Sequence, residues 1–258
     1  MIFNLFLKDT NNVGDSVCGP LLYFNFGEQK MIDITKWKDY INELKDNYII
    51  IGGGGLFHIP SPEYNEGHFL HIKEIQKEFK KLILWGAGHN VHDSNEILFP
   101  SSKMKKFKLI GVRDVRTPYR WVPCPSCKSC LFDEKTPIKY EAVYYAHKTF
   151  HNERLAKQLP TLYCCESTFE NAVHFLGSAR IVYTNSYHGA YWSLLMGKTV
   201  IVDKPYSSKF YGLSFNMEEN ADTITIHPVS NYLELCRTTN NLFFEDVKKL
   251  IEMENLHG

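Results

Sequence analysis

The sequence predicts an α/β protein of two parallel-sheet halves facing across a cleft, and three observations carry that expectation. Short apolar runs of strand length alternate with amphipathic stretches of helical period. The alternation breaks once, over residues 116–137, where prolines at 118, 123, 125 and 137 accompany three cysteines, and then resumes. Glycines and unusual polar residues gather after the apolar runs. In open α/β sheets ligands sit beyond the carboxyl ends of the strands, where helix N-termini present free N–H groups, so the third observation also places a site.

In the first half the strand-like runs are residues 2–7, 48–51, 82–85 and 109–112, with a helical pattern at 68–79. In the second they are 142–145, 161–163, 180–183 and 199–202, separated by helical patterns at 151–158, 168–176 and 187–196. A further strand is expected at 223–226 and a terminal helix at 244–253. The predicted organisation is a Rossmann-like acceptor-side domain at 1–122, a linker at 123–137, a Rossmann-like donor-binding domain at 138–242 and a C-terminal helix at 243–258.

The 258 residues can bury one large core or two small ones. With 29 basic and 29 acidic residues the formal charge is zero, so no global field draws the chain to nucleic acid or an anionic membrane. Lys77, Lys80, Lys81, Lys103, Lys105, Lys106 and Lys108 either solvate helix faces or gather into one basic patch. The first apolar run meets Lys8 and Asp9 too soon for a signal peptide, and no run is long enough to span a bilayer. A cytoplasmic protein with seven reduced cysteines is expected. Cys124, Cys127 and Cys130 have a spacing that can ligate zinc or an iron–sulfur cluster. Cys164 and Cys165 are adjacent rather than spaced as a second knuckle, which favours a reduced linker over a metal site.

The strand ends of the first half carry Asn12, Gly14 and Asp15, then Gly52, Gly53, Gly54 and Gly55, then Gly86, Gly88 and His89, then Arg113 and Asp114. Those of the second carry His147, then Cys165, Glu166 and Ser167, then the 184–189 segment, then Asp203 and Lys204 running on to Ser207, Ser208 and Lys209. The glycine run lacks the Lys-Ser/Thr of a phosphate loop and serves either close ligand approach or tight packing. Asp15 either caps a helix or takes a proton from an acceptor hydroxyl. Asn185 or Ser186 can cap the helix that Tyr187, His188 and Gly189 open, placing the imidazole beside the positive end of its dipole, where a donor phosphate would dock. A satisfied core histidine is the plainer reading. Arg113 is either half of a surface ion pair or a fork aimed at an anion, and Lys209 either a solvated side chain or a second positive clamp.

The motifs N-x-G-D at 12–15, the glycine run, W-G-x-G at 85–88, G-V-R-D at 111–114, S-T-F-E at 167–170, A-R-I-V-Y-T-N-S-Y-H-G at 179–189 and M-G-K-T-V-I-V at 196–202 together resemble the polysaccharide pyruvyl transferase family. The resemblance implies a GT-B-like fold and transfer of a pyruvyl group from phosphoenolpyruvate to sugar hydroxyls without a metal. It places Arg113, His188 and Lys209 at the donor, Lys209 after a one-residue shift, and adds Glu170 to the donor side. One departure stands out, because family members carry Arg-Leu-His where this chain has Ser186-Tyr187-His188. The lost fork weakens the hold on phosphoenolpyruvate. A metal-independent glycosyltransferase using a nucleotide sugar is therefore the first expectation and pyruvyl transfer the second, with a non-catalytic glycan- or nucleotide-binding module third. The acceptor would be a saccharide or, if the lysines form a patch beside the cleft, a hydroxymethylated base in DNA. No prosthetic group is called for.

Overall fold

The computed structural model describes residues 1–9, 11–57, 67–97, 99 and 101–257. Among these residues, twelve strands form two six-stranded sheets in a mixed α/β chain. The first half runs β1 (Ile2–Phe6), α1 (Val13–Ser16), β2 (Gln29–Asp33), α2 (Ile41–Leu44), β3 (Tyr48–Ile51), β4 (Gly54–Phe57), α3 (Phe69–Glu78), β5 (Leu82–His89), α4 (Ser101–Met104) and β6 (Leu109–Val112). The sheet order is β2-β1-β3-β5-β4, with β6 also on β5, and every pairing is parallel. Strands β1, β3 and β5 are buried along their whole length, which explains their unbroken apolar runs.

The glycine run does not form a simple loop. Ile51 pairs with Leu84 and Gly54 with Ala87, so β4 resumes the lane of β3 beside β5 at the same offset. Strand β5 accordingly extends past residue 85, where its sequence ceases to look apolar, because its carboxyl half has β4 to pair with. Strand β2 was not expected: of its residues only Ile32 is buried, as befits an edge strand with little hydrophobic signal.

The second half runs β7 (Tyr140–Ala146), α5 (Glu153–Gln158), β8 (Thr161–Tyr163), α6 (Phe169–Gly177), β9 (Ala179–Thr184), α7 (Tyr187–Leu195), β10 (Thr199–Asp203), β11 (Met217–Glu219), β12 (Thr223–Ile226) and α8 (Tyr232–His257). Its order is β11-β12-β10-β9-β7-β8, parallel from β10 to β8 and antiparallel at β12 and β11. Every residue of α7 is buried, as expected for a helix apolar on all sides.

Helix α8 begins about three turns before the expected 244. Thr238, Thr239, Asn240 and Asn241 disguise its amino half as turn-like sequence. Its buried residues Cys236, Asn240, Phe243 and Val247 nevertheless recur at helical spacing. Asn240 accepts from Trp85 Nε1 at 2.9 Å and donates to the carbonyls of Pro123 at 3.2 Å and Cys236 at 3.0 Å. Phe243 and Val247 pack with Ile2, Ile50, Ile83 and Trp85 of the first sheet, while Tyr232 and Leu233 pack on the core of the second. The cysteine-rich segment lies beneath this helix. Arg237 donates to the carbonyls of Cys127 and Ser129, both at 2.9 Å, and pairs with Asp133 at 2.6 Å.

Phe243→Ala should therefore cost about 3 kcal/mol or more of unfolding free energy in urea, as expected for an aromatic removed from a filled core. A loss below about 1 kcal/mol would show that α8 rests on the sheet without completing its core.

Candidate active site

The carboxyl ends of the strands from both sheets converge on one cavity of about 270 Å³. The loop after β1 supplies Asp9 and Asn12, α1 supplies Asp15, β4 supplies Gly55, and Arg113 follows β6; the second sheet supplies His147 and Lys148 after β7, Ser186 to His188 after β9, and Tyr206 and Lys209 after β10. Asp9 and Lys148 join the two halves in an ion pair of 2.6 Å.

Asn12, not Asp15, caps α1. Its side-chain oxygen accepts from Gly14 N at 3.2 Å while its amide donates to Asp15 Oδ2 at 2.7 Å. The Asp15 carboxyl is thereby left at the cavity, where burial raises its pKa to about 6 although the charges of Arg113 and Lys209 pull it down.

Arg113 leaves the end of β6 only 3% exposed. Its guanidinium lies 3.6 Å from the ring centroid of Tyr187, at the start of α7, a cation–π contact across the two halves. Gly88 makes room for it, since a methyl group there would overlap the Arg113 side chain. Its Nε has no hydrogen-bond partner. Lys209 is also buried, and its Nζ donates to Tyr206 OH at 2.6 Å. Burial and the nearby positive charge of Arg113 lower its pKa to about 7. Among the described residues no carboxylate forms an ion pair with either cation. Asp114, next to Arg113 in sequence, is turned away and accepts from His89 N at 2.8 Å; burial raises it to about 7 against the pull of Arg113.

Ser186 caps α7, accepting from Gly189 N at 3.4 Å, which sets His188 in the first turn. The imidazole packs on Trp192 at 5.2 Å and against Gly14, where any side chain would overlap the ring. Its Nε2 lies 3.6 Å from Cys124 Sγ. Burial, reinforced by Arg113 and Lys209, holds its pKa well below the usual histidine range, so the ring is neutral. His147 is neutral as well, lowered to about 3 by burial and by Lys209 and Lys148. Its Nδ1 accepts from the N–H groups of Thr149 and Phe150, each at 3.2 Å, so its proton sits on Nε2.

The cavity thus brings together two buried cations that no carboxylate among the described residues contacts as an ion pair, two uncharged imidazoles, the Asp15 carboxyl with its raised pKa and the Asp9–Lys148 pair. The profile of the polysaccharide pyruvyl transferase family matches residues 12–202. The chain belongs to that family, and is a transferase. The matched span runs from the cap of α1 into β10; Lys209 and α8 lie beyond it. No curated protein matches the chain. Among solved structures it is similar to a functionally uncharacterized protein of Klebsiella pneumoniae subsp. pneumoniae, with 17% identity, a TM-score of 0.43, and coverage of 77% of this chain and 81% of that one.

In this family member several expected site residues serve as joints outside this cavity, although Asn185 also lines a neighbouring one that shares Thr149, Phe150 and Tyr206 with it. Asn185 accepts from Tyr144 OH at 2.6 Å and donates to the Asp203 carbonyl at 3.4 Å, tying β7, β9 and β10 together. Ser208 accepts from Val91 N at 2.9 Å and lies 2.6 Å from His89 Nδ1, fastening the loop after β5 to the loop after β10. Gly53 fits against the Cys18 carbonyl, Gly54 against the Cys18 thiol, Gly86 against Pro123 and Pro125, and Gly189 against Tyr145 and Thr184. Of the glycine run only Gly55 reaches the cavity. Glu170 corrects the donor-side expectation. Phe169 turns inward onto Trp192, which leaves Glu170 on the solvent face of α6, 3.9 Å from His174.

His147 was named as a strand-end residue without a role, and Lys148, Asp9 and Tyr206 were not singled out beforehand, although Lys148 follows a strand as the other site residues do. The seven lysines do not border the cavity. Lys80 and Lys81 precede β5 and Lys103 to Lys108 precede β6, at the amino ends of strands whose carboxyl ends carry the site; β5 alone is roughly 26 Å long at about 3.3 Å per residue. Lys108 is paired with Glu254 at 2.7 Å. Among the described residues no group of three His, Cys, Asp or Glu is placed to hold a metal; Cys124 and Cys127 are buried and Cys130 is exposed. No helix among them is long and apolar enough to cross a membrane.

The buried lysine gives a pH signature. With its pKa near 7 folded and an ordinary 10.5 unfolded, the unfolded chain binds more protons between those values, so stability rises with pH across that window and the penalty is full below about 7. Lys209→Met should raise stability at pH 6 by on the order of 2–4 kcal/mol, a gain that shrinks toward pH 10. Urea unfolding at both pH values measures it; a pH-independent difference would contradict the buried charge.

Proposed function

We propose that the chain transfers the pyruvyl group of phosphoenolpyruvate to two hydroxyls of a saccharide, forming a ketal and releasing phosphate. The carrying observation is the pair of buried cations, neither in ion-pair contact with a carboxylate among the described residues, with Asp15 close enough to feel both. Phosphoenolpyruvate brings two anionic groups, a carboxylate and a phosphate, and two cations converge to receive them. Membership of the family supports the same donor. The sequence ranking, which put a nucleotide sugar first, is thereby reversed: the fork absent at Ser186 still leaves one cation for each anionic group.

In this reading Arg113 grips one anionic group in a planar fork and Lys209 the other, and the arriving dianion draws Lys209 back toward full protonation. Asp15, held near pKa 6, accepts a proton from an acceptor hydroxyl. His188, neutral and at the amino end of α7, donates a hydrogen bond to the departing phosphate. Two C–O bonds form at C2 of the donor and its bond to the phosphate oxygen breaks. Of the two hydroxyl protons, one ends on C3, which becomes the methyl group, and the other on phosphate. The 1–122 and 138–242 halves then act as two Rossmann-like domains with the cavity as the crevice between them, in the GT-B-like manner, and the cytoplasm, where such a small phosphorylated donor is held, is the site of action. A DNA acceptor is not retained, because the lysines that motivated it lie at the far end of the strands.

Phosphoenolpyruvate should raise the melting temperature, while UDP, GDP and CMP sugars should not. Arg113→Lys should abolish most of that shift. Asp15→Asn should keep it yet slow phosphate release with a saccharide acceptor by about 10²–10⁴-fold. Stabilisation by a nucleotide sugar alone would overturn the reading in favour of glycosyl transfer.

A further inference from the structure

We propose that the Cys124 thiol is a positioning residue that fixes His188 in the tautomer with its proton on Nδ1, as the last link of a one-way hydrogen-bond chain starting at Trp192. The chain consists of buried groups on two segments, the turn at 124–126 and helix α7. Its direction is set at its far end. Trp192 Nε1 donates to Ser126 Oγ at 3.0 Å, and an indole N–H can do nothing else. Ser126 therefore has its own hydroxyl hydrogen left to place, and its other side-chain partner is Cys124 Sγ at 3.2 Å. With that hydrogen pointing at sulfur, the thiol hydrogen turns to His188 Nε2, 3.6 Å away.

The reverse direction would aim two hydrogens at Ser126 Oγ and leave its own O–H buried without an acceptor, which folded proteins avoid. Burial raises the Cys124 thiol above its ordinary pKa, so it keeps the hydrogen it has to give. A neutral imidazole carries one N–H; with Nε2 accepting, that hydrogen is on Nδ1. Nδ1 is the ring atom nearest Gly14, in α1, the short helix that also presents Asp15. The donor edge of the ring thus faces the helix bordering the cavity, as the role given to His188 requires, and Cys124 acts through the histidine without touching the reacting atoms.

The inference rests on the pyruvyl-transfer reading only for its kinetic arm. Long-range ¹H–¹⁵N correlation spectra of the full chain without substrate, with His188 assigned by the signals lost in His188→Gln, should show an unprotonated Nε2 and a protonated Nδ1. Cys124→Ser, which keeps a donor, should preserve that pattern, and Cys124→Ala should move the ring toward the Nε2–H form. With phosphoenolpyruvate and a saccharide acceptor, kcat should fall about tenfold in Cys124→Ala and recover in Cys124→Ser, with KM little changed, the size expected for one misplaced hydrogen bond. An Nε2–H tautomer in the wild-type protein would overturn the proposal whatever the donor proves to be. So would a Cys124→Ala variant with unaltered tautomer and kcat.

Discussion

Two like charges are held out of water at the meeting point of the two sheets, and much of the surrounding structure answers to that constraint. Burying an ion costs several kcal/mol unless it is paired, yet Arg113 and Lys209 face a cavity with no carboxylate joined to either. Their positions are sustained by contacts that do not neutralise them: Arg113 lies flat on Tyr187 and Lys209 donates to the Tyr206 hydroxyl. Neighbouring groups adjust to the same field. His188 and His147 stay uncharged, and Lys209 itself sits near the point of losing its proton. In the proposed reading an arriving dianion supplies the charge that Arg113 and Lys209 lack, which is how a site can be preorganised for one class of ligand.

The architecture makes such a site possible by assembling it from strand ends. Each cation comes from a different sheet, so neither half alone carries the pair. The halves are locked by the Asp9–Lys148 ion pair, by the Ser208 joint to the loop after β5 and by α8, whose two ends pack on different cores. Asn240 is central to that lock. A buried amide is tolerated there because it bonds at once to Trp85, Pro123 and Cys236. Glycines supply the close approaches: Gly14 admits the His188 ring and Gly88 the Arg113 side chain.

Several elements were legible from the sequence because their cause is local. Strands β1, β3, β6 and β10 read as apolar runs, and α6 and α7 followed from their hydrophobic patterns. Others were hidden for physical reasons. Strand β4 exists because β5 offers it a partner, so its glycines looked like a turn. The amino half of α8 contains poor helix formers whose burial, not propensity, makes them helical. Strand β2 buries too little to be seen. At the site, the strand-end rule pointed to Asp15, Arg113, His188 and Lys209, which line one cavity, while Glu170, which only the family resemblance put on the donor side, faces solvent because its neighbour Phe169 claims the inward direction.

By itself the sequence determined the α/β alternation, the end of the sheets where polar residues gather, and the family, because hydrophobic period and motif order are properties of a chain read in line. Only the tertiary structure decided which of those residues share a cavity, which carboxyls face it and which cations have no carboxylate in ion-pair contact among the described residues. Those are matters of distance and burial between segments a hundred residues apart, and no local pattern encodes them. The same holds for the charge state of His188: an imidazole in sequence titrates in the ordinary range, and it is enclosure beside Arg113 and Lys209 that keeps it neutral.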